Sequence, residues 1–130
     1  MDIRESAIRE NIFEYVKSKY GVEPDYPFPT APDYPVLRHK DNRKWFALLM
    51  DVPRNRLGLS GEERVNIINV KLADPLFVSL LRQQPGYFRG YHIGGGNWIT
   101  ILLDGTVPVD DIFPLIDESF AVTAPKRKKR

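Results

Sequence analysis

The residues able to carry out chemistry in this 130-residue chain are few, and their spacing is informative. There is no cysteine, which removes disulfides, thiolate metal sites and a thiol nucleophile together. His39 and His92 are the only imidazoles, and neither lies in a His-x-x-x-His or similar ligand spacing. Ser60, Ser79 and Ser119 have no Gly-x-Ser-x-Gly elbow around them. Acid–base work needs carboxylates held close in a dry pocket. Here the acids fall into two groups, Asp2, Glu5, Glu10 and Glu14 near the start and Asp110, Asp111, Asp117 and Glu118 near the end. Arg4, Arg9, Lys17 and Lys19 alternate with the first group, the pattern of a solvated helix face. The run Gly94-Gly95-Gly96 leads into Trp98 and a strand rather than into a helix N-terminus, so it reads as a hairpin turn and not a phosphate cradle. These observations predict a protein that is not an enzyme and that needs neither metal nor cofactor.

The cations are the more suggestive group. Arg38 and Lys40 share one face of a strand by period-two alternation, and Asn69 and Lys71 share a face of another. Arg54 and Arg56 fall in the loop between two strands. The chain ends in Lys126-Arg127-Lys128-Lys129-Arg130, which carries +5, so residues 1–125 alone carry about −3 against +2 for the whole. The basic pI therefore describes the tail more than the domain. With Trp45, Trp98 and Thr100 nearby, the cations are expected to gather on the sheet face away from the helices. Cations, aromatics and an amide donor together suit phosphates or single-stranded bases. Two competing readings are ordinary surface charge with core aromatics, and a small-ligand pocket bounded by Trp45, Tyr91 and Trp98, with His92 beside it.

The elements that must position these residues follow from periodicity. Asp2 and Glu5 form a capping box, and Ile8, Ile12, Tyr15 and Val16 recur at helical spacing, predicting a helix over residues 3–20. Residues 22–35 hold Pro24, Pro27, Pro29, Pro32 and Pro35, an extended loop barred from helix and ladder alike. Strands are predicted over 34–40, 44–52 and 64–72. A helix follows from Asp74-Pro75 with Leu76, Phe77, Leu80 and Leu81 as its apolar stripe. Strands over 87–93 and 97–103 precede a last helix from Asp110 or Asp111, with Pro114 in its first turn. The order α-β-β-β-α-β-β-α predicts an α+β, two-layer α/β sandwich: an antiparallel five-stranded sheet with helices on one face. Residues 1–125 are read as one domain and 126–130 as a disordered basic tail. A charged N-terminus and no long apolar run predict a cytoplasmic protein with no membrane partner.

Five stretches in this order resemble the MmcQ/YjbR family: Lys44-Trp45-Phe46-Ala47, Asn69-Val70-Lys71-Leu72-Ala73-Asp74-Pro75, Tyr91-His92, Trp98 through Gly105, and Ile116-Asp117-Glu118-Ser119-Phe120. The resemblance runs from about Ile8 to Val122. It implies a fold like that of CyaY (frataxin) and of secretion chaperones, and a DNA-binding role through wing-like elements. Where the family often carries a Lys and a second His, this chain has Gly95 and Asn97. The resulting expectation is a noncatalytic binding module for DNA or other nucleic acid, using Arg38, Lys40, Arg54, Arg56, Lys71 and the tail. The alternative is a protein- or peptide-interaction module.

Overall fold

The computed structural model describes residues 3–30, 33–91, 93 and 97–125. The Asp2 cap, His92, the Gly94–Gly96 turn and the Lys126–Arg130 tail therefore lie outside the described residues. The elements are α1 (Ile3–Tyr20), β1 (Val36–Arg38), β2 (Trp45–Pro53), a 3-10 turn (Arg54–Leu57), β3 (Arg64–Lys71), α2 (Pro75–Leu81), β4 (Tyr87–Arg89), β5 (Trp98–Leu102) and α3 (Val109–Thr123). Every strand pairing is antiparallel, and the order across the sheet is β1-β2-β3-β5-β4. The predicted fold class and element order are those observed.

The period-two pattern of β3 sorts the two sheet faces. Ile68 and Val70, with Leu72 just beyond the strand, join Ile8, Ile12 and Val16 of α1 and Ile112, Leu115 and Ile116 of α3 in the main core. Val65 and Ile67 point the other way, into a second cluster with Val52 and Leu102. All three helices pack on the first face. The second face was expected to be open, and it is roofed instead. Leu57 and Leu59, from the loop after β2, lie over the second cluster together with Phe88 and Tyr91. Phe28 of the proline-rich loop meets Trp45 edge-on at 5.6 Å between ring centroids.

Several predicted boundaries shift for identifiable reasons. β1 is only three residues long, because Pro35 has no N–H to give and the chain turns after Arg38. Lys40 lies in that turn and does not share a strand face with Arg38. The proline-rich loop does reach the sheet edge: Asp25, which keeps its own N–H, exchanges backbone bonds of 2.7 and 2.9 Å with Val36. β4 ends at Arg89: Gly90, tight against the Trp98 Cβ, still donates to the Trp98 carbonyl at 3.2 Å, but the next N–H, that of Tyr91, leaves the ladder for the side-chain oxygens of Thr100 and Asn69. α3 starts at Val109, so Pro114 sits past the first turn and the Asp110 carbonyl lacks its intrahelical donor. In α2 the packed residues are Val78, Phe77 and Leu81, while Leu76 and Leu80 are 66% and 54% exposed. The predicted stripe was thus half inward and half outward.

One irregularity shapes the sheet. Leu37 pairs with Ala47 but Arg38 pairs with Trp45, so β2 carries an extra residue, Phe46, at that point. The bulge lets Phe46 join Ala47 on the helix side and turns Trp45 to the other face. Pairing of β2 with β3 stops at Ala47–Val70. Beyond it the Ser119 hydroxyl of α3 accepts from the Lys71 N–H (2.9 Å) and donates to the Phe46 carbonyl (2.5 Å), bridging the opened ladder.

Candidate functional site

Asp117, Glu5 and His39 each hold elements of the fold together. Asp117 accepts hydrogen bonds from the Tyr15 and Tyr20 hydroxyls (2.6 and 2.7 Å) and from Lys19 Nζ (2.9 Å). Burial alone would raise its carboxyl pKa, but these three donors outweigh it and hold the group below 3.8. Glu5, expected on a solvated face, is buried, and its Oε1 accepts from both the backbone N–H and the side-chain amide of Asn66 (2.8 and 2.9 Å). His39 is buried beside Phe46 and Phe120 and meets the Thr123 hydroxyl at 2.9 Å. The Thr123 hydroxyl donates to the Ser119 carbonyl at 2.7 Å, so the His39 Nε2–H is the donor in the shared bond. Burial is the main cause that pulls His39 below 6.5. Among the described residues, no three His, Asp or Glu side chains are grouped to hold a metal ion.

The predicted binding residues divide into those that are occupied and those that are available. Arg38 forms an ion pair with Asp25 at 2.6 Å and Arg54 one with Asp104 at 3.4 Å. Lys40 lines a hollow on the helix side with Tyr20, His39 and Phe120, away from the others. Asn69 and Thr100 are fully buried at the centre of the second face. The Thr100 hydroxyl donates to Asn69 Oδ1, and the Tyr91 N–H donates to Thr100 Oγ1 at 2.8 Å and Asn69 Oδ1 at 3.3 Å. These two side chains therefore hold the chain after β4 down onto the sheet and are not presented to a ligand. Lys71 stands directly across from Trp98, both half-buried, at the same end of this face as Trp45 and Arg38. Asn97 uses its side-chain amide to bond the Ala73 carbonyl, 3.1 Å away.

Apart from Lys40, the predicted cation left exposed among the described residues is Arg56, and it lies beside Tyr91. A groove of ≈ 360 Å³ runs between the 3-10 turn and the end of β4, lined by Arg56, Leu57, Phe88, Arg89, Gly90 and Tyr91. That size is near the lower end for ligand pockets and accommodates a ring rather than a large ligand. Arg56 and Arg89 are both exposed, and neither makes an ion pair among the described residues. Arg56 was foreseen; Arg89, Phe88 and Leu57 were not. The signal for them was present in Tyr87-Phe88-Arg89-Gly90-Tyr91, a cation interleaved with aromatics. The groove depends on the Asn69–Thr100 pair, because that pair sets where Tyr91 lies. Chemically it offers two guanidinium groups flanking aromatic and aliphatic walls, a setting for an anion attached to a flat ring.

A protein-family model, YjbR, matches residues 17–122. The Bacillus subtilis (strain 168) protein YyaQ is 43% identical over 115 residues, which span 88% of this chain and 97% of YyaQ. The crystal structure of a Pseudomonas syringae protein is 42% identical with a TM-score of 0.84, covering 89% of this chain and 98% of that one. A solution NMR structure from the same organism matches with a TM-score of 0.81 at 40% identity, covering 94% and 97%. A Deinococcus radiodurans structure with a DUF419 domain shares the fold alone, at 21% identity and a TM-score of 0.68, covering 94% and 82%.

Proposed function

The chain belongs to the YjbR family, and from that premise we propose that it is a noncatalytic binding module whose ligand is nucleic acid, held at the groove between the 3-10 turn and β4. The observation that carries this reading is the pair Arg56 and Arg89, both exposed and free of ion pairs among the described residues, at the rim of a groove walled by Phe88 and Tyr91. Guanidinium groups hold phosphate oxygens, and aromatic faces stack on bases whatever the sequence. Lys71 and Trp98, on the far side of Gly90, repeat the same pairing of cation and ring and extend the surface. Arg38 and Arg54 are left out of the reading because each is already paired with an acid. The noncatalytic part rests on the use of Asp117, Glu5 and His39 as internal braces.

The test is a titration of the full chain with a short single-stranded and a short duplex DNA over a range of salt. Each phosphate contact contributes about 0.9 to the log–log salt slope for duplex and about 0.7 for single strands. Arg56→Ala with Arg89→Ala is expected to flatten the slope by roughly 1.4–1.8 if each makes one contact. Amide shifts should centre on Leu57, Phe88 and Tyr91. Binding whose slope is untouched by this double variant would come from elsewhere, the Lys126–Arg130 run first, and the groove reading would fail.

A second reading, a peptide-interaction module, has one observation in its favour. β4 is an edge strand, and its neighbours Gly86 and Gly90 make the bonds to β5, which turns the Tyr87 and Arg89 backbones outward. An extended peptide adding to that edge would bind with little dependence on salt.

A further inference from the structure

α2, β4 and the start of α3 border a hollow of ≈ 500 Å³ on the helix side of the sheet, a volume in the range of small-molecule sites. Phe77, Leu81, Pro85, Val107, Pro114 and Leu115 form its walls. Gly86 packs directly on Val107, where a Cβ would come within 2.5 Å of the Val107 Cγ2, and so brings the Pro85 turn against that wall. Tyr87 packs on the helix side while its neighbour Phe88 belongs to the other cluster. The hollow and the Arg56–Arg89 groove therefore lie on opposite sides of the sheet.

Two oxygen groups at the rim of this apolar hollow have no partner among the described residues. Asp111 is the third residue of α3, where an acid ordinarily reaches back to the N–H of the residue before the helix. That residue is Pro108, which has no N–H to give, and no side-chain cap forms. The Asp111 carboxylate is thus left exposed, with neither an ion pair nor a hydrogen bond among the described residues. Tyr87 is half-buried, and its hydroxyl likewise makes no hydrogen bond among them. Burial raises the Tyr87 pKa first and the charge of Asp111 second, so the two groups are near one another without bonding. No Lys, Arg or His stands among the described residues that line the hollow.

Apolar walls beside an unpaired carboxylate and a hydroxyl, with no cation to balance them, select a ligand that brings the missing charge. We propose that this hollow binds a small organic cation, a primary ammonium carried on an aryl or branched alkyl body. The body displaces water from Phe77, Leu81 and Leu115, and the ammonium donates to the Asp111 carboxylate and to the Tyr87 hydroxyl oxygen. A carboxylate of the same shape would meet Asp111 with like charge, and a neutral alcohol would forgo the ionic bond. The site is separate from the Arg56–Arg89 groove and does not rest on the nucleic-acid reading.

Amide NMR titrations of the full chain with phenethylammonium, 2-phenylethanol and phenylacetate test it. Phenethylammonium is expected to give saturable shifts at Phe77, Leu81, Tyr87, Val107 and Leu115, with a Kd of about 1 mM or tighter, as suits a ligand of its size. The alcohol should bind at least about fivefold more weakly, and phenylacetate should leave these amides unmoved. Asp111→Asn keeps an acceptor and removes the charge, and it should weaken phenethylammonium about five- to tenfold. Tyr87→Phe keeps the ring and should weaken it about two- to fivefold. Gln84 is an exposed residue of the lining, and Gln84→Lys sets a tethered ammonium at the rim that should compete with the probe. Unchanged amide positions away from the hollow confirm that each variant is folded. The absence of saturable shifts at the five amides overturns the proposal. So does equal binding of amine and alcohol, or amine binding indifferent to both Asp111→Asn and Gln84→Lys.

Discussion

The segment Ile116-Asp117-Glu118-Ser119-Phe120 shows how densely single side chains are used. Ile116 is core, and Asp117 ties α3 to α1 through Tyr15, Tyr20 and Lys19. Glu118 accepts the Ala73 N–H at 2.9 Å, and Phe120 stacks on Tyr20 with ring centroids 3.7 Å apart. Ser119 does what no apolar residue could, since its hydroxyl serves both the Lys71 N–H and the Phe46 carbonyl where the ladder has parted. A buried backbone group left unpaired costs about 1–3 kcal/mol. Ser119→Ala strands two such groups and is expected to lose roughly 2–5 kcal/mol in urea denaturation. A loss below about 0.5 kcal/mol would mean that the bridge does not hold the two strands.

At the scale of elements, the bulge in β2 decides which of two neighbouring aromatics is structural. Phe46 is fully buried against Tyr20, His39 and Phe120, whereas Trp45 is half-buried on the opposite face against Phe28. Phe46→Ala should cost about 3–5 kcal/mol, since it opens a cavity among three ring contacts. Trp45→Ala leaves its site partly filled by solvent and is expected to cost less than half as much, measured in the same denaturant. Equal losses would mean that the Phe28 loop seals its face of the sheet as thoroughly as the helices seal theirs. α2 makes the same point in another way. At 100° per residue Leu76, Leu80, Phe77 and Leu81 spread over about 140° of the helix, and the core lies on the side of Phe77, Leu81 and Val78, so Leu76 and Leu80 remain outside.

For the molecule as a whole, three of the shifted groups show how stability depends on pH at its acid, near-neutral and alkaline ends. Asp117 has a folded pKa below its usual 3.8, so its contribution is present above that value and is lost as pH falls through it. His39 is likewise held below 6.5. The unfolded chain takes up the proton first, and stability begins to fall as pH drops under 6.5. At the other end Tyr20, pushed up to about 12 mainly by burial and next by its bond to Asp117, stays protonated after the unfolded tyrosine has ionised. Its contribution therefore fades as pH rises from 10 towards 12. Thermal melts across this range should give a broad maximum near neutrality. Asp117→Asn is expected to be less stable at pH 7 and to show a flatter decline below pH 4. An unchanged acid limb in that variant would remove Asp117 from the account.

Local pattern alone determined the element order, the antiparallel sheet and the side of each β3 residue, because a period of two or of 3.6 is written into the order of residue types. It also singled out Arg56 and Tyr91, two residues that line the proposed groove. Tertiary packing decided the rest. No local signal says that Arg38 will meet Asp25 or that Arg54 will meet Asp104, since each pair is joined across a turn or a sheet and charge is neutralised only where chains converge. Nor does sequence say that a face free of helices will be roofed by Leu57, Leu59 and Phe28, for loops bury apolar side chains wherever the sheet leaves room. Asn69 and Thr100 read as exposed polar residues on alternating strands. They are buried because the chain after β4 folds back over them and its Tyr91 N–H needs their oxygens in place of the ladder it has left.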